Sequence, residues 1–264
     1  MSETLIERSD GLVTVTFNRP HRKNALNAAN WADLERVLDE VRRNPEDRAL
    51  IVTGAGECFS AGAELGGGDG GQSSLTGGQR QLIVHEMRWA GEIVRQLQRL
   101  PKPTLAVVDG VAAGVALGIA LACDLVIASD RARFSSIFVR RGLALDGGTS
   151  WSLPRAVGLR RAKQMAFFGD MVSAQDALAW GLVNEVVPAA ELQKVGLEWG
   201  RRLAAGPTTA LSIIKRQLDD SFLMTFEQAV EDEARAQHIS FTTADMHEGI
   251  AAFLERREPR FTGQ

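Results

Sequence analysis

The sequence predicts an α/β fold, a spiral of strand–strand–helix turns that carries a helical C-terminal lobe. Three observations carry that expectation. Over residues 1–204 the apolar residues switch repeatedly between the period of a strand and that of a helix, the pattern of helices packed on sheets. Beyond the Gly206-Pro207 break, residues 205–264 read as almost wholly helical. With 45% hydrophobic and 24% charged residues, the 264-residue chain has the composition of a soluble globular protein and length enough to bury a core. Residues 1–204 are therefore expected as the core that holds the site, and 205–264 as the lobe.

Residues 3–9 and 12–18 flank Asp10-Gly11, a pair suited to a tight hairpin turn. Asn27 can cap a helix whose apolar positions Trp31, Leu34, Val37, Leu38 and Val41 follow three-to-four spacing and which stops before Asn44-Pro45. Arg48–Thr53 reads as a buried strand. Seven glycines then fall within residues 66–78, too many for a regular element; the stretch suits either a surface connector or a lid over a site beginning just before it. Helix 80–100, strand 104–109, helix 114–122 and strand 124–128 follow. Helices near 148–157, 159–169 and 173–180 lead to a short strand at Val183–Val187, and the lobe holds helices 207–220, 225–239 and 243–256.

Several function classes drop out. A net charge of −3 without a dense Lys/Arg run lacks the footprint of a nucleic-acid binder. Cys58 and Cys123 stand far apart without disulfide or metal spacing and are expected as free thiols of a reducing cytoplasm. His21, His85, His238 and His247 show no ligand spacing, so no metal is expected; His85, in HEMRW without a second histidine, belongs on a helix surface. The polar, acidic N-terminus has no signal-peptide character. The most apolar stretch, Leu105–Ile127, is interrupted by Asp109 and Asp124, so no membrane association is expected and the location is read as cytoplasmic.

Two segments carry candidate chemistry. GAGECFSAGAEL (54–65) and DGVAAGVALGIALACD (109–124) each place small residues where a strand ends and a helix begins. Backbone N–H groups at such turns have no internal partner and can bind a developing oxyanion. From the second segment alone, Gly114 and Gly118 read first as residues that allow close helix packing.

Taken together and in order, NRPHRKNAL (18–26), FSAGAEL (59–65), PKPTLAVVDGVAAGVALGIALACDLVIAS (101–129), GLALDGGTSWSLPRAVG (142–158) and EGIAAFLERREPRF (248–261) resemble the enoyl-CoA hydratase/isomerase (crotonase) family along nearly the whole chain. The resemblance implies a ββα spiral whose helical lobe packs homotrimers, often paired as hexamers. It also implies an acyl-CoA thioester substrate, coenzyme A being part of that substrate and no separate cofactor being needed. By position, the backbone N–H groups of Ala63 and Val115 would form the oxyanion hole. Ala61 would meet the adenine, Arg22 and Lys23 the phosphates, and Gly62 and Gly114 would belong to the backbone against which coenzyme A lies. Val115 departs from the family's usual glycine or alanine; it keeps the N–H, but its β-branch narrows the space beside the thioester.

Removing a proton α to a thioester leaves charge on its oxygen, and each donor of such a hole contributes about 2.7–4 kcal/mol to lowering the barrier. Family hydratases add two glutamates, and the matching positions here are Gly118 and Phe138, neither able to transfer a proton. Asp146 falls where isomerases of the phenylacetate type, dihydroxynaphthoyl-CoA synthases and chlorobenzoyl-CoA dehalogenases carry an aspartate. It is either the base or the N-cap of the following helix. A dehalogenase would need aromatics around a benzoyl ring and a naphthoate-forming cyclase would bring a tyrosine, and this chain has no Tyr. A double-bond shift with Asp146 as base is favoured. A hydratase using Glu64 or Asp146 in an unusual way, or a catalytically silent acyl-CoA-binding subunit, are the alternatives. Glu64 otherwise reads as a cap or ion-pair partner, and Trp89 and Ile93, on one helical face, as acyl-pocket wall or core.

Overall fold

The computed structural model describes residues 2–64 and 80–264, with backbone alone at 80–83; the glycine-rich stretch read as connector or lid lies outside the described residues. Strands β1 (Thr4–Ser9) and β2 (Leu12–Phe17) pair antiparallel about Asp10 and Gly11, whose φ angles of 52° and 78° suit a two-residue hairpin turn. β3 (Ala49–Gly54), β4 (Thr104–Val108), β6 (Leu125–Ser129) and β9 (Glu185–Val187) continue the sheet in parallel, in the order β1-β2-β3-β4-β6-β9.

Alternate residues of these strands feed two cores. On one face Val13, Val15, Phe17, Leu50, Val52 and Ala106 pack with α1 (Ala28–Arg43), α2 (Arg80–Gln98) and α3 (Val115–Ala122). Asn27 caps α1 reciprocally with Asn30. On the other face Leu12, Ile51, Leu105, Val107 and Ile127 pack with α6 (Leu192–Ala204). The sequence reading left residues 188–204 without an element. The reason lies in Gly196 and Gly200, which weaken a helical reading but bring α6 close to the sheet: a Cβ there would stand 2.9 Å from Val107 and 2.6 Å from Ile51.

A second sheet joins β5 (Val111–Ala113), β7 (Arg133–Ser135) and β8 (Val172–Ser173), with β5 parallel to β7. These strands are too short for a period to register in the sequence. α4 (Thr149–Phe168) is broken at Gly158 (φ 77°), which is why the sequence reads it as two helices. After α5 (Ala174–Trp180), the C-terminal residues form α7 (Thr208–Asp220), α8 (Phe226–Ser240) and α9 (Ala244–Glu255). Arg48, at the start of β3, donates to the carbonyls of Gly206 (2.6 Å) and Phe261 (3.0 Å) and ties this region to the sheet. Among the described residues no helix is long and apolar enough to cross a membrane.

Candidate active site

The small sheet sets the turns of interest side by side. Ser60 bridges Ala112: its N–H donates to the Val111 carbonyl at 2.9 Å, and the Ala113 N–H donates to the Ser60 carbonyl at 3.1 Å. The Gly114 N–H donates to the Ser135 carbonyl at 3.0 Å. Three segments thus leave one sheet together, Ala61–Glu64, Gly114–Val115 and Ser136–Phe138. Gly62 makes the first two touch: with φ 98°, a Cβ there would meet the Ala113 carbonyl oxygen at 2.7 Å.

The turn after Ser60 is fixed on both sides of Ala63. The Gly62 N–H donates to Ser60 Oγ (3.1 Å), the Leu26 N–H to the Gly62 carbonyl (2.8 Å) and the Glu64 N–H to the Leu26 carbonyl (2.9 Å). The exposed Ala63 has no acceptor for its own N–H among the described residues. Val115 has none either, as expected of the first residue of a helix. Two free N–H groups on touching turns can hold a negatively charged oxygen.

The basic turn abuts the same place. A 3-10 turn over Pro20–Arg22 presents exposed Arg22 and Lys23, and the Lys23 carbonyl accepts the Ala61 N–H at 2.9 Å. Buried Asn24 (φ 51°) secures the turn, its Nδ2 donating to the carbonyls of Ala55 (2.9 Å) and Cys58 (2.6 Å) and its Oδ1 accepting the Arg19 N–H (2.8 Å). Arg19 pairs with Glu64 at 3.1 Å, so the Glu64 carboxylate is an ion-pair partner and not a helix cap.

Asp146 lies on a turn packed against α3. Gly147 (φ 57°) fits so tightly that a Cβ there would come 2.7 Å from Val115 Cγ2, and its carbonyl oxygen lies 2.3 Å from where a Gly118 Cβ would stand. The Asp146 backbone carbonyl accepts both the N–H (3.1 Å) and Oγ1 (2.7 Å) of Thr149. Its side chain caps nothing: Gly148 is the N-cap of α4. Oδ1 of Asp146 is buried without a partner among the described residues, and burial pushes the carboxyl up to about 6. Phe138 is buried, with its ring edge 3.8 Å from the place a Gly114 Cβ would take. Positions 118 and 138 are thus both spent on packing.

Of the open readings, Ile93 is core, and Trp89 packs on that core and donates to Glu35 at 3.0 Å. His85 is exposed on α2. Sequence reasoning missed Ser60, Asn24 and Gly147, which shape the turns, and Ser136, whose buried Oγ has no partner among the described residues. Asn24, Ser60 and Gly147 lay within the motifs that carry the family resemblance, whereas Ser136 lay in none. No cluster of His, Cys, Asp and Glu that could hold a metal occurs among the described residues.

The profile of the enoyl-CoA hydratase/isomerase family matches residues 7–264. The chain is 37% identical over 254 residues to the 1,2-epoxyphenylacetyl-CoA isomerase of Escherichia coli (strain K12), covering 96% of each chain. It is 31% identical over 259 residues to the short-chain-enoyl-CoA hydratase of Clostridium acetobutylicum, covering 98% of this chain and 97% of that one. The crystal structure of an enoyl-CoA hydratase from Bacillus anthracis superposes with a TM-score of 0.92 at 27% identity, over 99% of this chain and 100% of the other. A profile match along nearly the whole length, with full-length relatives above 30% identity, means that the chain belongs to the enoyl-CoA hydratase/isomerase family and has the crotonase fold.

Proposed function

We propose that this protein is an enoyl-CoA isomerase with Asp146 as the base that carries the proton. One observation carries the reading: the Asp146 carboxylate is uncapped and desolvated on a turn packed against the first turn of α3, while positions 118 and 138 offer no acid. Asp146 takes a proton from C2 of a 3-enoyl-CoA and the electrons move toward the thioester, giving a dienolate. The N–H groups of Ala63 and Val115 hold its oxygen, and the proton returns at C4 to give the 2-enoyl-CoA and restore the carboxylate. A carboxyl that titrates near 6 is ionised at neutral pH, yet a stronger base than an ordinary aspartate. Arg22 and Lys23 take the phosphates, Ala61 the adenine, and Gly62 and Gly114 let backbone approach the thioester. Similarity to a 1,2-epoxyphenylacetyl-CoA isomerase supports an isomerase that acts on a coenzyme A thioester.

A homotrimer, or a hexamer of paired trimers, belongs to this reading. It is supported by the apolar side chains that the C-terminal helices leave open, with Phe226 at 79% and Phe253 at 81% exposure. Buried free thiols at Cys58 and Cys123 suit a reducing, cytoplasmic setting.

The test is to give wild type and Asp146→Ala a 3-enoyl-CoA in deuterated water, following product mass, the conjugated thioester absorbance and binding of a saturated acyl-CoA. Wild type should yield the 2-enoyl-CoA with deuterium and no added water, and the variant should bind but not turn over. A 3-hydroxyacyl-CoA product would instead favour an atypical hydratase, and binding without any exchange at C2 a silent acyl-CoA-binding subunit.

A further inference from the structure

We infer that Gly118 is a positioning residue for the proposed base: lacking a side chain, it lets the Gly147 carbonyl seat on α3 and so sets where the Asp146 carboxylate stands. The inference deepens the isomerase reading and rests on it. α3 reads VALGIALA, otherwise made of apolar side chains, and a glycine inside a helix is disfavoured against alanine unless packing requires it. Here packing does. A Cβ on Gly118 would meet three backbone atoms of Gly147, the carbonyl oxygen at 2.3 Å, the carbonyl carbon at 3.1 Å and the Cα at 3.3 Å. None of these is the end of a flexible side chain, so the whole turn would have to lift.

Val115 and Gly118 stand three residues apart on α3, on one face of the helix. Gly147 packs against both, with Val115 Cγ2 filling the place its own Cβ would take. At its other end the turn is held by the two bonds from Thr149 to the Asp146 carbonyl. Asp146 is therefore fixed between a Thr149 clasp and a slot at Gly118, and the residue that donates the Val115 N–H forms the wall of that slot. The turn that carries the base thus rests on the same turn of α3 that supplies the oxyanion donor. A further consequence concerns hydration: the Gly147 carbonyl occupies the space a side chain at 118 would enter. A glutamate restored there would displace the proposed base instead of adding a second one.

The experiment compares Gly118→Ala and Gly118→Glu with wild type and Asp146→Ala, with folding checked by circular dichroism and kcat, KM and the pH profile measured on a 3-enoyl-CoA. Lifting the turn by about an ångström should lower kcat of Gly118→Ala roughly 10²-fold with KM little changed. The acid limb of its kcat profile should move from about 6 toward the ordinary aspartate range as the carboxyl regains water. A loss of packing alone would not shift that limb. Gly118→Glu should lose isomerisation and gain no 3-hydroxyacyl-CoA. Should Gly118→Ala fail to fold, Gly147→Ala takes its place: it should lose kcat through its clash with Val115, and Val115→Ala in the same chain should recover part of the loss. Folded Gly118→Ala with wild-type kcat and acid limb, hydration by Gly118→Glu, or Gly147→Ala without rescue would overturn the inference. Turnover by Asp146→Ala would sink the isomerase reading itself.

Discussion

Replacing Asp146 with asparagine removes the charge and keeps the shape, so it separates what the carboxylate does for turnover from what it costs the fold. The carboxyl has its pKa raised from 3.8 to about 6, and burial is the cause. Two units at about 1.4 kcal/mol each make the ionised form up to ~3 kcal/mol less comfortable in the fold than in the unfolded chain. Water reaching the partly exposed side chain trims this to about 1–2 kcal/mol. The sign follows from the raised value. Below the ordinary aspartate range both states hold the proton and no cost arises. Between that range and about 6 the unfolded chain ionises while the fold keeps its proton, so the cost builds up there and is complete above about 6, where the folded state carries the unpaired charge. The asparagine amide does not titrate, so Asp146→Asn should be more stable than wild type at pH 8, by roughly 2–6 °C in Tm for a chain of this size. The gap should close as pH falls toward 4, while turnover is lost at every pH. The assay is thermal unfolding of both proteins at fixed concentration across pH 4–8. An asparagine variant no more stable than wild type at pH 8, or a gap that widens on acidification, would refute the argument that Asp146 is held ionised against its surroundings.

Two further substitutions test a support of the site and a buried ion pair of the fold. Asn24→Ala strips the bonds to the Ala55 and Cys58 carbonyls and to the Arg19 N–H, leaving buried polar groups unpaired. It should destabilise by about 2–4 kcal/mol in urea unfolding and weaken coenzyme A binding through the loosened Arg22–Lys23 turn. Lys215, whose side chain is 9% exposed, pairs with Asp124 at 3.0 Å, where burial raises the carboxyl and Lys215 opposes that rise. Lys215→Met should cost about 3–5 kcal/mol by leaving that charge unpaired, and Asp124→Asn in the same chain should return part of it; equal losses in the single and double variants would sink the pairing argument.

Long, strongly patterned elements were legible in the sequence because a single face fixes their period. The cap at Asn27 and the five apolar positions of α1 specify that helix, and Asp10-Gly11 specifies the hairpin. α6 escaped notice because the residues that seat it on Val107 and Ile51 are glycines, chosen for closeness to the sheet at the expense of helical signal. Strands β5, β7 and β8 escaped because two or three residues carry no period, although they align the site. Asp146 stood out in the sequence, but whether it caps α4 or faces an unpaired burial depends on a backbone carbonyl taken by Thr149, which composition does not encode.

The same division explains how one fold holds different acids and bases. Oxyanion donors of the kind proposed at Ala63 and Val115 are main-chain groups, so nearly any side chain preserves them, and they depend on how the small sheet aligns two turns. The base is a side chain, and its position depends on what rests on the first turn of α3. With a side chain at 118 the Asp146 turn would stand off; with glycine there, the Gly147 carbonyl fills the slot and Asp146 is carried inward. An acid at 118 and a buried Asp146 therefore compete for the same few ångströms of helix surface. In the proposed reading, that competition decides whether water or only a proton is delivered to the bound thioester.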